Sequence, residues 1–179
     1  MTLFAPFSGT LYLPDKEFLN TSTPVLLPDG RPIAGIVWHT WTQRFEITDL
    51  TGSIVAECRP EGLFRRRFPV RTLDGRRVIE LTPGAWRPFN GAELILAAGG
   101  QLAVRQVSVW SDRRFEFYGR HGLVGRIQPT TGTFTFRPDS YAFELLAPVM
   151  SALEAIAIAQ ALRLVARGNR SASAAASSV

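Results

Sequence analysis

Pro148-Val-Met-Ser-Ala-Leu-Glu-Ala-Ile-Ala-Ile-Ala-Gln-Ala-Leu-Arg-Leu-Val-Ala-Arg-Gly168 is the stretch on which the fold turns. Its alanine, leucine and isoleucine residues recur all the way round a helical turn. Glu154, Gln160 and Arg163 are the only strongly polar interruptions before Arg167. A helix apolar on nearly every side must be surrounded, by protein or by lipid. Proline in a helix interior removes a backbone hydrogen bond, whereas at the first helical position its missing N–H costs nothing. Pro148 is therefore expected to open a helix over residues 148–167, and Gly168 to close it as a left-handed cap. Arg163 and Arg167 then sit near the negative end of the helix dipole. Residues 169–179 are small and polar with no apolar period, the composition of a disordered tail.

A helix over 148–167 is roughly 30 Å long, about one hydrocarbon core, so a tail-anchored membrane protein is a competing expectation. An acidic side chain near the middle of a span costs on the order of 2.5–3.5 kcal/mol, and Glu154 lies within the run. The run also leans on alanine, which makes a slim helix suited to a narrow barrel. Enclosure by protein is the preferred reading, ahead of a membrane span or an oligomerisation helix.

The rest of the chain has a different texture. Before Pro148 no stretch sustains a helical period. Pro28-Asp29-Gly30, Leu73-Asp74-Gly75, Pro83-Gly84 and Gly99-Gly100 mark turns between short alternating runs. Strands are expected near 11–13, 33–38, 45–48, 53–57, 76–81, 94–97, 102–110, 114–118, 123–128 and 133–136, with a weaker one at 70–73. Tyr141, Phe143 and Leu145 form one face of a last strand. In Arg114-Phe115-Glu116-Phe117 and Thr133-Phe134-Thr135-Phe136 the alternation puts each phenylalanine pair on one face. Arg44-Phe45-Glu46 with Gly52 is echoed by Arg114-Phe115-Glu116 with Gly122, either two similar half-domains or coincidence between two hairpins.

At 179 residues, 46% hydrophobic and 20% charged, the chain suits one globular domain, here placed at residues 1–168. The single cysteine, Cys58, cannot form an internal disulfide, which favours a reducing cytosol and a buried, inert thiol. Met1 to Leu13 contains Pro6 and has no basic region leading into an apolar run, so it does not read as a signal peptide. The net charge is +5, almost all of the cations being arginine. Such a balance suits phosphate-bearing partners but identifies none.

A many-stranded antiparallel domain ending in an enclosed apolar helix resembles the tubby C-terminal-like superfamily, which includes phospholipid scramblases and the LURP-one-related proteins. The likeness is carried by Arg44-Phe45-Glu46-Ile47-Thr48-Asp49 with Gly52, by Arg114-Phe115-Glu116 with Gly122 to Ile127, and by Asp139-Ser140-Tyr141-Ala142-Phe143 leading into the helix. The resemblance implies a mostly β fold: a closed antiparallel barrel of about twelve strands enclosing an apolar C-terminal α-helix, with no enzyme activity. Where scramblases resemble a calcium-binding loop, this chain offers only Asp139 and Glu144. Calcium takes six or more oxygens, so no tight site is expected.

No catalytic pattern stands out. His39 and His121 lie in no zinc-ligand spacing, and no nucleophile elbow or phosphate-cradling glycine loop is present. Asp49 and Glu57 are the sort of carboxylates that approach across a hairpin, but fifteen acids supply such pairs by chance. Neither an enzyme nor a cofactor nor a metal is expected. The strongest surface feature is basic: Arg59, Arg65, Arg66, Arg67, Arg71, Arg76 and Arg77, interleaved with Leu63, Phe64 and Phe68. As one face, these guanidinium forks would suit the phosphates of an anionic membrane surface. The plainer alternative is a solvated face with its phenylalanines turned inward. Nucleic acid is not expected, because no helix carries the arginines and no RNA-binding strand motif surrounds them. The functional expectation is thus a cytoplasmic binding module, peripheral at the inner membrane face. A structural or protein-interaction domain without a lipid role is the alternative.

Overall fold

In the computed structural model, residues 2–14, 22–39, 41–62, 66–85, 87–108, 111–130 and 140–176 are described. Twelve strands follow one another: β1 (Gly9–Pro14), β2 (Thr23–Leu26), β3 (Pro32–His39), β4 (Arg44–Thr48), β5 (Ile54–Cys58), β6 (Phe68–Arg71), β7 (Arg77–Thr82), β8 (Glu93–Leu96), β9 (Gln101–Ser108), β10 (Ser111–Gly119), β11 (Gly122–Pro129) and β12 (Ser140–Leu145). Each pairs antiparallel with the next, and β12 returns to pair with β1, closing the barrel. One helix, α1 (Ala152–Ala176), follows.

Alternation makes the inner wall. Trp38, Phe45, Cys58, Val70, Ile79 and Leu96 stand opposite one another from strand to strand, all nearly inaccessible to solvent. Leu11, Phe143, Ile127 and Phe115 form a second such row. Against this wall pack Ala155, Ile156, Ala157, Ile158 and Ala161, each fully buried. Buried residues of all twelve strands and of α1 form one core, and the alanines of the helix let the wall come close. No helix among the described residues is long and apolar enough to cross a membrane.

The two similar hairpins, β4–β5 and β10–β11, begin six strands apart, halfway round the twelve-stranded wall. Phe45 and Phe115 point inward, and Gly52 and Gly122 take positive φ in the turns.

Three expectations need correcting. The helix opens at Ala152, not Pro148, because Ser151 and Glu154 form a capping box. Glu154 N–H donates to Ser151 Oγ at 3.2 Å, and Ser151 N–H donates to Glu154 Oε2 at 2.7 Å. Residues 146–150 are a bent connection instead. Nor does the helix end at Gly168. A helical glycine costs only ~1 kcal/mol relative to alanine, and the helix continues to Ala176, through most of the stretch expected to be a disordered tail. Finally, β2 was not expected, and the weak strand at 70–73 is in fact Phe68–Arg71. The strand expected at 133–136 lies outside the described residues.

Candidate functional site

Because the strands form an up-and-down meander, alternate connections lie at opposite ends of the barrel. At the end where α1 enters, all the hairpin connections are short: 27–31, 49–53, 72–76, 97–100 and 120–121. Several close in the same way, with the N–H of Gly30, Gly52, Gly75 or Gly99 bonded three residues back and its φ near +80° to +85°. These are type I turns followed by a left-handed glycine. At the end where α1 leaves, connections 59–67, 83–92 and 130–139 are longer. Long connections on a rigid wall are where binding residues tend to sit.

The entry end is spent on structure. Glu154 is buried, and its carboxylate accepts from Ser151 N–H, from Ser151 Oγ at 2.8 Å, and from Ala97 N–H at 3.0 Å. The N-terminal segment crosses this mouth, where Phe7 N–H bonds Met150 O and Leu153 N–H bonds Leu3 O. Asp49, whose pKa is held below the usual range chiefly by the Thr51 hydroxyl, accepts from Thr51 and Ser53 and closes its turn. It does not meet Glu57, whose cross-strand neighbour is Glu46.

The basic cluster is not one face. Arg59, Arg66 and Arg67 adjoin the connection at the exit end, whereas Arg71, Arg76 and Arg77 lie at or beside the β6–β7 turn at the entry end. Arg65, Leu63 and Phe64 lie outside the described residues. Several of these cations are already engaged. Arg59 Nε lies 2.9 Å from Glu57, Arg67 Nε donates to Glu80 at 3.0 Å, and Arg76 Nε lies 2.7 Å from Asp74. Arg77 Nε is buried without a hydrogen-bond partner. Phe68 turns inward, as the plainer alternative expects.

The exit end gathers different groups. The guanidiniums of Arg163 and Arg167 lie 5.3 and 5.7 Å from the centre of the buried Trp38 ring, a cation–π stack fastening the emerging helix to the wall. Trp41, in the β3–β4 turn, is 95% exposed. Arg87 and Arg170 are exposed at the same end. Sequence reading passed over Trp41 as a functional residue. Counting strands by parity would have found it, since connections 40–43 and 59–67 must share an end.

Other candidates have structural partners. His39 Nε2 lies 3.0 Å from Glu46 Oε1, and Glu144 accepts from Arg126 Nε at 2.6 Å on the outer face. His121 is exposed in the β10–β11 turn, and Asp139 lies outside the described residues. Burial pushes the Cys58 thiol up to about 12, helped by the charges of Glu57 and Glu61. No group of three or more metal-ligating side chains occurs among the described residues.

No known family description matches the sequence, and no curated protein matches it. A solved structure does match: the X-ray structure of the Arabidopsis thaliana protein AT5G01750, with a TM-score of 0.57 and 12% identity. The match covers 90% of this chain and 94% of that one. At that identity the likeness is one of fold.

Proposed function

We propose that the chain is a non-enzymatic binding module, of the tubby, scramblase and LURP-one-related kind, that meets anionic phospholipid headgroups with its helix-exit end. The observation that carries this reading is Trp41, almost wholly exposed at the end that also holds Arg66, Arg87, Arg167 and Arg170. An indole is favoured at the boundary between water and hydrocarbon, and each nearby arginine adds ~1 kcal/mol on an anionic surface. Arg66 keeps its part in the patch first drawn from sequence, while Arg71, Arg76 and Arg77 drop out. On this reading the protein works peripherally at the cytoplasmic membrane face.

Vesicle sedimentation tests the reading. Binding is expected to phosphatidylglycerol-containing vesicles but not to phosphatidylcholine alone, and to weaken in Trp41→Ser and Arg66→Ser. The double variant Arg71→Ser/Arg76→Ser should bind like the parent. Equal binding to both vesicle types, or equal losses from the two sets of variants, contradicts the proposal.

A second reading has its own observation. At the entry end Phe4, Leu50, Leu73 and Val149 are exposed, beside the mutually paired Asp29–Arg31 and Asp74–Arg76. Exposed apolar residues with balanced charge suit a protein partner. Capture of a stable partner that is lost in Leu50→Ser/Leu73→Ser, with indifference to lipid charge, favours this reading instead.

A further inference from the structure

Beside the emerging helix, at the exit end, lies a cavity of about 660 Å³. Its apolar lining includes Phe68 from β6 and Leu164 and Val165 from α1, all three continuous with the core. Its polar lining includes Arg66, Gln43 and Asn169, and among the described residues no carboxylate lines it. An apolar floor with a few convergent polar groups is the usual make-up of a small-molecule site, and the volume falls within the usual range. At ~30 Å³ per water-sized group, the space holds about twenty non-hydrogen atoms.

Two backbone features lie on its wall. Gly168 lies on the cavity wall inside a continuous helix, where glycine costs ~1 kcal/mol relative to alanine. A Cβ built there would meet nothing within 4 Å, so no neighbouring element requires the glycine. Gln43, also on the wall, closes the β3–β4 turn with φ of 52°.

We infer that this cavity binds a single-chain anionic amphiphile, a fatty carboxylate or a monoacyl phosphate. The chain lies along Phe68, Leu164 and Val165, and the head meets the Arg66 guanidinium. The charge follows from the lining: among the described residues it holds one cation and no acid, which disfavours a cationic head and suits an anionic one. The inference shares Arg66 with the proposed membrane contact but does not depend on it, since such a ligand can arrive as a monomer in water or from a lipid surface.

The test uses the full chain and cis-parinarate, a fluorescent long-chain carboxylate, below its micelle concentration and without vesicles. Saturable uptake is expected, displaced by dodecanoate but not by dodecyltrimethylammonium. Arg66→Gln should weaken it about tenfold or more, the usual effect of losing a hydrogen bond to a charged group. Gly168→Phe should abolish uptake by filling the cavity, whereas Gly168→Ala should retain it. If thermal melting shows that Gly168→Phe does not fold, Ala85→Trp on the opposite lining decides instead. Sedimentation of the filled variant with anionic vesicles separates the two proposals. Lost parinarate uptake with retained vesicle binding assigns the ligand to the cavity and the membrane contact to the outer surface. No saturable uptake by the folded parent, uptake only in the presence of vesicles, uptake unchanged in the filled variant, or displacement by the cation overturns the inference.

Discussion

Glu154 shows how one side chain carries two roles that its place in the sequence does not separate. Within an apolar run it reads as an intrusion that disfavours a membrane span. In the fold it caps α1 and also holds Ala97 N–H of the β8–β9 turn, so it ties helix start to barrel wall. The Ser-x-x-Glu spacing of Ser151 and Glu154 was present in the sequence, but Pro148 drew the helix start towards itself. Glu154→Ala should cost about 2–4 kcal/mol, combining a lost cap with an unsatisfied buried N–H, read as a lower urea midpoint. Cys58 gives a second prediction at this scale. Its folded pKa lies above the unfolded value, so the unfolded chain loses this proton first as pH rises. Stability should therefore fall between about pH 9 and about pH 12, by up to ~1.4 kcal/mol per pH unit from this group. Cys58→Ala should flatten that slope in urea titrations at several pH values, and an unchanged slope would show that the thiol is not the cause.

Strands with clean alternation, such as Arg114 to Tyr118, were legible because a half-buried wall imposes period two. β2, Thr23-Pro24-Val25-Leu26, was not, because a proline within so short a run argues against a strand. The barrel accommodates it at a thin seam, since among the described residues β2 pairs with β1 through Tyr12 and Leu26. Pro69 in β6 lies at a similar place, where β5 and β6 share two cross-strand pairs among the described residues. The helix was legible as an element, and only its ends were misplaced. Gln160 tests how tightly it is held. This residue is 1% exposed, and its Oε1 lacks a hydrogen-bond partner beside a space of about 20 Å³ near Phe115 and Tyr141. Gln160→Met removes an unpaired acceptor at nearly constant length, so stability should stay level or rise by up to ~1–3 kcal/mol. A clear loss in the urea midpoint would mean that the amide has a partner in solution.

At the scale of the whole molecule the barrel separates two ends that the linear sequence runs together. Seven arginines within nineteen residues looked like one patch because sequence distance does not record that Phe68–Arg71 carries the chain from one end to the other. Pattern therefore reached the many short strands and the enclosed helix, the resemblance implied the closed barrel, and the candidate site required the topology. That topology rests on one claim, that α1 is enclosed by a closed wall packed against its buried alanines. Ala157 is fully buried on that helix. The most direct measurement is the urea unfolding of Ala157→Leu against the parent. Enclosure predicts a stability loss of at least ~1–3 kcal/mol from overpacking, read as a lowered midpoint with the slope unchanged. A midpoint equal to the parent's would mean that the wall does not close on the helix.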